Sequence, residues 1–227
     1  PDTVFSSIDL YGRYAYKNQP TIAQWNLSRF AETLLPLLHT DESSAINLAN
    51  DALSHFSTMY QQHYLSLMKA KLGLDDKRNT QSKNVIALDS QLVEDLLALL
   101  HTHSVDYTLA FHQLSNVLGS RPEVWLSLFG RLPESEKNEV LDWQKRWFQR
   151  LEHCNAANDL NDIAKQIKAI TPWIIPRNHR VEEAIEAAHA GNLSTFDKLL
   201  TAIQHPYNAS TNVAIFAEPA SAHFTKS

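Results

Sequence analysis

The chain has 227 residues, of which 44% are hydrophobic and 9% aromatic, and its formal net charge is −5. This length and composition predict a globular protein with a hydrophobic core and exclude an intrinsically disordered chain. The negative charge, without any stripe of Lys and Arg, argues against a nucleic-acid-binding protein. No apolar run is long enough to span a membrane, so no membrane partner is expected either.

Cysteine usage and the first residues bear on the compartment. Cys154 is the only cysteine, so no internal disulfide can form and a reducing compartment is expected. No charged and then apolar leader opens the chain, which predicts a cytoplasmic protein. The chain begins with Pro1 rather than methionine, and we expect it to be a piece of a longer protein.

Residues 1–20 hold two prolines, four aromatics and Gly12 without helical periodicity, and they predict an ordered loop. The first helix is predicted at 21–38, with Thr21 as its N-cap and Gln24 at the capping-box position. Apolar residues recur there at steps of three and four, and this pattern predicts a core helix with one face packed inward. The predicted inward residues are Trp25, Phe30, Leu34 and Leu37 or Leu38.

The rest of the chain reads as further amphipathic helices. They are predicted at about 45–72, 90–101, 106–118, 135–153 and 158–170, followed by a hairpin of helices that end near 190 and 205. The residues predicted to face inward on the first four of these helices are Leu48, Ala52, Phe56, Met59 or Tyr60, Tyr64 and Met68; Leu92, Val93, Leu96, Leu97 and Leu100; Tyr107, Phe111, Leu114 and Leu118; and Trp143, Trp147 and Leu151. Gly73 is expected to end the first of these, Asp106 to cap the third and Gly119 to end it, and Ser194 with Asp197 to cap the last. A polar surface loop is expected at 75–84. The predicted fold class is all-α, a multi-helix bundle, divided into a loop (1–20), a helical domain (21–205) and a polar tail (206–227).

Candidate chemistry is sparse. His101 and His103 stand two residues apart, which places them on different sides of a helix, and no H-E-x-x-H motif occurs. A metal-dependent hydrolase therefore lacks the carboxylate–histidine cluster it needs. Cys154 is expected to be structural, because its sequence neighbours cannot form a catalytic triad with it. Neither phosphate-binding glycine motif is present in a chain with five glycines.

Arg13 has the clearest binding potential among single residues. It lies in a tight, aromatic-flanked loop, where a guanidinium can clamp a phosphate or a carboxylate through two hydrogen bonds. The alternative is a structural salt bridge that pins the loop, for which Asp9 is the candidate partner.

Four blocks of residues carry a more specific signal. The first, from Asp9 to Ala31, follows the spacing D-x-x-G-R-Y-x-Y-x-x-Q-P-x-x-A-x-W-N-L-x-R-x-A. The second combines Tyr64 and Met68 with K-L-G-L at 71–74, and the third is D-Y-T-x-x-F-x-x-L at 106–114. The fourth, at 172–192, combines a proline, R-N, A-I, an alanine and G-N. In this order the blocks resemble the C-terminal part of the selenoprotein O family, which are kinase-like protein adenylyltransferases.

The resemblance implies the C-terminal lobe of a protein-kinase-like fold. It implies a parent protein that uses ATP with Mg or Mn to transfer AMP to Ser, Thr or Tyr hydroxyls of protein substrates. The family's nucleotide lysine, catalytic aspartate and metal-binding Asp-Tyr-Gly would lie upstream of Pro1. No catalytic or metal-binding residue is therefore assigned here, and the expected partner is the missing N-terminal half of the same protein.

The first block supplies the candidate binding residues Arg13, Gln19 and Asn26, as a loop clamp near the cleft. The family's redox lock joins a cysteine near the start of this segment to a cysteine or selenocysteine near the C-terminus. Here residues 5–7 read F-S-S and residues 223–227 read H-F-T-K-S, so neither stretch supplies a cysteine for such a lock.

Three hypotheses follow. In the first, the chain is the helical C-terminal portion of a selenoprotein O-like adenylyltransferase, supports the active cleft and is inactive alone. In the second, it is a free-standing helical interaction module without catalysis. In the third, the chain is a metal-dependent hydrolase, and this hypothesis requires stoichiometric bound zinc or iron.

Overall fold

The structure of the chain, a computed structural model, is built from helices. It describes residues 3, 4, 6, 8–74, 83–118, 122–154, 159–208 and 211–221. Every regular element within these residues is a helix, which confirms the all-α prediction. The α-helices are α1 (Gln19–Leu38), α2 (Glu42–Ser54), α3 (Phe56–Lys71), α4 (Lys83–Thr102), α5 (Tyr107–Leu118), α6 (Pro122–Ser127), α7 (Glu134–Cys154), α8 (Leu160–Ile170), α9 (Asn178–His189) and α10 (Ser194–Gln204). Short 3-10 helices cover Tyr16–Asn18 and Thr211–Ala217.

The chain forms two compact units. Unit 1 is Pro1–Leu67 and unit 2 is Met68–Ser227, so the boundary falls within α3. Of the helices in the described ranges, none is both long enough and apolar enough to cross a membrane.

The first helix begins earlier than predicted. α1 starts at Gln19 and takes Pro20 into its first turn, where a missing N–H costs nothing and the fixed φ suits the helix. Thr21 is therefore inside the helix and is not its N-cap. Asn18 occupies the cap position without a side-chain capping bond, because its amide donates to the loop before the helix instead.

The predicted inward face of α1 is not buried, so the prediction of a core helix is wrong. No residue of α1 is fully buried, and Trp25, Phe30, Leu37 and Leu38 are all exposed, while Leu34 is half-buried. Large apolar side chains recur at helical spacing, as the sequence indicates, but among the residues that the structure describes they stay largely exposed.

The long helix predicted at 45–72 is interrupted. α2 ends at Ser54 and α3 begins at Phe56. The Ser54 hydroxyl donates to the Asp51 carbonyl at 2.7 Å, and His55 Nδ1 lies 2.8 Å from the same oxygen, so side chains compete with the helical backbone there. The predicted buried side is also only partly right. Met68 is buried and Phe56 and Tyr64 are half-buried, whereas Leu48, Ala52, Met59 and Tyr60 are exposed.

Unit 2 has a large aromatic and aliphatic core. Trp125, Trp143 and Trp147 have no exposed surface, and the ring centres of the last two lie 5.7 Å apart. The Trp143 and Trp147 indole N–H groups donate to the carbonyls of Leu92 and Leu72 at 2.9 and 2.8 Å. Core packing was predicted for Trp143 and Trp147, and it is confirmed. Other predicted inward residues that are buried are Leu92, Val93, Leu96, Leu100, Phe111, Leu114, Leu118 and Leu151. Of the remaining predicted ones, Leu97 is half-buried and Tyr107 is exposed.

The last two helices form the predicted hairpin, which encloses a second, smaller core. α9 ends at His189, and Gly191 takes a φ of +82° in the turn. Ser194 is not the cap of α10; instead the Asn192 side-chain oxygen accepts the Ser194 N–H at 3.0 Å. Phe216, from the segment after the hairpin, is buried in this core. Its buried neighbours are Ile174, Ala184, Leu199, Ala202 and Ala217.

Several predicted features fall outside the described residues. These are most of the polar loop at 75–84, the helix end at Gly119 and the last residues of the tail.

Candidate functional site

A tight loop before α1 positions Arg13. The two carboxylate oxygens of Asp9 accept hydrogen bonds from the backbone N–H groups of Arg13 at 2.9 Å and of Tyr14 at 2.8 Å. Gly12 has a φ of +65°, which glycine adopts without strain, and its carbonyl accepts the Asn18 amide at 2.8 Å. The predicted Asp9–Arg13 salt bridge is therefore wrong. Asp9 fixes the loop through backbone N–H groups, and the Arg13 guanidinium is directed elsewhere.

The Arg13 side chain is exposed and lies against aromatic rings. Its guanidinium carbon is 4.9 Å from the ring centre of Trp25 and 5.7 Å from that of Tyr14. Arg29 approaches the same indole at 5.7 Å, but its guanidinium is also paired with Glu32 at 2.6 Å. Stacking on a ring restricts a guanidinium and leaves its N–H donors available. Arg13 is therefore the cation of this pair that a ligand or a neighbouring protein surface can use.

Gln19 and Asn26 stand apart from this stack. Gln19 is the first residue of α1 and Asn26 follows seven residues later, so both lie on the same side of the helix, two turns apart. Both side chains are exposed, and within the described ranges no hydrogen bond joins either of them to Arg13. The structure brings Arg13 to Trp25 and leaves Gln19 and Asn26 open on α1.

The second and third sequence blocks meet at the end of α3 and the start of α5. The Lys71 ammonium lies 5.3 Å from the Tyr107 ring centre and 5.4 Å from the Phe111 ring centre, and it donates to the Tyr107 hydroxyl at 3.4 Å. That hydroxyl donates to the Met68 sulfur at 3.8 Å. Burial lowers the pKa of the Lys71 ammonium, while the faces of the two rings stabilise its charge.

The third and fourth blocks are joined by a bidentate ion pair. The Arg177 guanidinium donates to the two oxygens of Asp106 at 2.7 and 2.9 Å. Asp106 also accepts the Leu109 N–H at 2.9 Å, so it caps α5 as predicted. Burial alone would raise the pKa of Asp106, but Arg177 and the backbone donors hold it below its usual value. The pair fixes the start of α5 to the start of α9.

Asp89 is a buried carboxylate held by two cations. Its side chain has no exposed surface, and its oxygens accept Arg150 at 2.6 and 3.2 Å and Lys69 at 2.9 Å. The three residues belong to α4, α7 and α3, so the cluster joins three helices. Its charges are used within the protein, which indicates a structural role.

The histidines and Cys154 show no catalytic arrangement. In the described ranges, no three His, Cys, Asp or Glu side chains come close enough together to hold a metal ion. Cys154 is buried. His112 is buried beside Trp173, and its Nδ1 has no hydrogen-bond partner among the described residues. Burial lowers the pKa of His112, which favours the uncharged form of the ring.

An open groove of about 590 Å³ runs between α4 and α7. Three carboxylates, those of Asp95, Glu139 and Asp142, line it together with His103 and Arg146. Arg146 is already paired with Asp95 at 2.7 Å and with Asp142 at 3.1 Å. The surplus of negative charge disfavours an anionic ligand such as a nucleotide.

The comparison with known families decides the family. The model of the family described as protein adenylyltransferase SelO matches residues 1–204. The chain belongs to the SelO family. It spans about two fifths of the length of the curated relatives it matches.

These SelO relatives are bacterial proteins named protein nucleotidyltransferase YdiU. The chain is 44% identical over 212 residues to the one from Clostridium botulinum (strain Hall), covering 92% of this chain and 39% of that protein. It is 43% identical over 208 residues to the one from Brevibacillus brevis, covering 91% and 38%. It is 41% identical over 229 residues to the one from Cereibacter sphaeroides, covering 100% and 43%.

Sequence reasoning placed the SelO blocks correctly but missed how they pair. Asp106 and Arg177 are 71 positions apart, and Lys71 and Tyr107 are 36 apart. For the Asp106–Arg177 pair, the sequence signal was limited to the position of each charged residue at the start of a predicted helix. Nothing in the local pattern indicated the Lys71–Tyr107 pair.

Proposed function

We propose that the chain is the C-terminal helical portion of a SelO protein adenylyltransferase, supports the active cleft of that protein and is inactive on its own. In this proposal the whole protein transfers AMP from ATP to Ser, Thr or Tyr hydroxyls of protein substrates. The helices of this chain form part of the C-terminal lobe of its kinase-like fold. Support comes from the family match and from the share of the relatives' length that the chain spans.

One structural observation carries the supporting role. Polar residues from the second, third and fourth sequence blocks contact one another inside the chain. Lys71 lies on Tyr107 and Phe111, and Asp106 pairs with Arg177 through two hydrogen bonds. Residues that bond one another hold helices in place, and they are not left available for a substrate.

The described residues do not fit ATP and its metal. A nucleotide site needs backbone or cationic donors directed at phosphates, and Mg or Mn needs grouped oxygen ligands. In the described part of the chain, no three His, Cys, Asp or Glu side chains are placed to hold a metal ion, and the groove between α4 and α7 is negatively charged. We therefore assign nucleotide and metal binding to the rest of the full-length protein and derive no transfer step within this chain.

In our proposal, the loop before α1 is the part of this chain that lies nearest the active cleft. Arg13, Gln19 and Asn26 would lie near the cleft, with Arg13 clamping an anionic group. Arg29 offers a matched control, because it lies over the same indole but is neutralised by Glu32. In the full-length protein, Arg13→Gln is expected to lower kcat/KM for AMP transfer at least about tenfold, because it removes one charge-assisted hydrogen bond to the anionic group. Arg29→Gln should change it less than about twofold, and equal effects of the two variants would contradict the clamp.

The proposed reaction is tested with ATP labelled on either the α- or the γ-phosphate. The full-length protein and the 227-residue chain are each incubated with Mg or Mn and candidate protein substrates. Protein-bound α label with the full-length protein alone is the expected result. Bound γ label would replace AMP transfer by phosphoryl transfer, and turnover by the chain alone would refute its inactivity.

The second candidate is a helical interaction module without catalysis. The exposed apolar face of α1 favours it, since such faces mark contacts with other proteins. The same assay separates the two, because an interaction module leaves both labels unbound even when the full-length protein is used with metal present.

A further inference from the structure

One side of α1 carries an exposed stripe of large apolar residues, here called the α1 stripe: Leu27, Phe30, Leu37 and Leu38. Their exposed fractions are 41%, 59%, 82% and 41%. Their spacing places them on a single side of a helix with 3.6 residues per turn. The ion pair Arg29–Glu32 lies on the other side. The stripe is therefore a continuous apolar surface without a charge of its own.

The described residues of unit 1 do not bury this surface. Among its described residues, the fully buried apolar side chains are those of Ala15, Ala45 and Ala49. Alanine removes little apolar area from water, whereas unit 2 buries three tryptophans and many leucines. A helix that keeps a strict amphipathic period but has no buried residue needs its covering surface from outside unit 1.

We propose that the α1 stripe is the surface against which the part of the full-length SelO protein outside these 227 residues packs. The inference rests on the proposed function, because it requires that the longer protein exists. The chain spans only 38–43% of its relatives, so a large part of such a protein is available to cover the stripe. Because the stripe carries no charge, its occupant presents an apolar face, which excludes a nucleotide or a nucleic acid as the ligand of this surface.

The test uses a photo-crosslinking phenylalanine analogue, p-benzoylphenylalanine, in the full-length protein. It replaces Phe30 in the stripe or, as the matched control, Phe196 of α10, which is 48% exposed in this chain. Crosslinked peptides are identified by mass spectrometry after irradiation. We expect position 30 to crosslink to a peptide from outside the 227 residues, in at least about tenfold higher yield than position 196.

Three results would overturn the proposal. A crosslink to a second copy would make the stripe a dimer surface, and a crosslink within the 227 residues would mean that the chain covers it. The absence of a crosslink at both position 30 and position 37 would mean that the stripe stays open to solvent. Leu37 is included because it is the most exposed residue of the stripe, where the analogue is least able to disturb packing within unit 1.

The outcome for the stripe is separable from the outcome for the proposed function. AMP transfer is assayed on the same preparations before irradiation. If a protein that transfers no AMP gives a crosslink to the portion outside these 227 residues, the proposed packing of the stripe is supported and the proposed activity is refuted. If a protein that transfers AMP gives no such crosslink, the proposed activity is supported and the proposed packing of the stripe is refuted.

Discussion

Two carboxylates on α4 pair with arginines on α7, and they differ in burial and in the number of cations that bond them. Asp89 has no exposed surface and is bonded by Arg150 at 2.6 and 3.2 Å and by Lys69 at 2.9 Å. Asp95 pairs with Arg146 at 2.7 Å, and these two side chains are 30% and 42% exposed. Replacing each aspartate by asparagine removes the charge and keeps the shape, so the comparison isolates the ion pair from any cavity.

The expected costs differ several-fold. Asp89→Asn leaves two largely buried cations without their carboxylate, and breaking a buried pair in this way costs about 3–5 kcal/mol. Asp95→Asn breaks a partly exposed pair, which contributes about 0–1 kcal/mol. At about 2–4 °C per kcal/mol for a unit of this size, the thermal midpoint falls by about 6–20 °C in the first variant. It falls by less than about 4 °C in the second.

Thermal unfolding followed by tryptophan emission measures this difference directly. Trp143 and Trp147 are fully buried in α7, the helix that carries both arginines, so their emission reports the loss of this core. Equal shifts in the two variants would mean that the burial of Asp89 between its two cations has no energetic consequence.

Three further predictions concern unit 2. Gly73 has a φ of +69°, and a methyl group there would lie 2.5 Å from an isoleucine of α8, so Gly73→Ala should destabilise by about 2–5 kcal/mol in urea unfolding. Gly191→Ala, at φ +82° with open space around it, should cost only about 1–2 kcal/mol, and a reversed order would contradict the packing at Gly73. Burial lowers the folded-state pKa of His112 below about 6.5, so its contribution to the free energy of unfolding is present above that pH and is lost as pH falls. Between pH 8 and pH 5 the urea midpoint should therefore fall more in the wild type than in His112→Gln. An equal fall in both proteins would exclude this histidine as a source of the pH dependence. Arg177→Ala should cost about 2–4 kcal/mol by leaving Asp106 without its cation, and Arg177→Lys should recover less than half because it lacks the bidentate fork; full recovery by lysine would refute that geometry.

The local sequence was sufficient where a helix buries its stripe within this chain. The apolar period of α4 and α7 and the aspartate cap of α5 are local signals, and the structure follows them. In α1 the same kind of period led to a wrong conclusion. Amphipathic spacing predicts that one face of a helix will be buried, but it does not indicate whether residues of the same chain will bury it. Trp25 and Phe30 are exposed for that reason, although they fit the helical pattern well.

Short-range competition and long-range pairing account for the other differences. At Ser54 and His55, side-chain bonds to the Asp51 carbonyl interrupt a pattern that is otherwise continuous, and helical periodicity is insensitive to them. The Asp106–Arg177 pair depends on how α5 and α9 meet, which no local pattern contains. The loop at Arg13 was found from the spacing of its sequence block, but the use of Asp9 for backbone N–H groups depends on the turn at Gly12.

Reconstitution tests the proposed supporting role most directly. The part of the full-length protein that lies outside these 227 residues is produced alone, this chain is produced alone, and the two are also expressed together. Transfer of α-labelled AMP to protein is then measured in all three samples with Mg or Mn. We expect no transfer by either piece alone and recovery of transfer when both are present. Full transfer by the outside part without this chain, or any transfer by this chain alone, would contradict the proposed role.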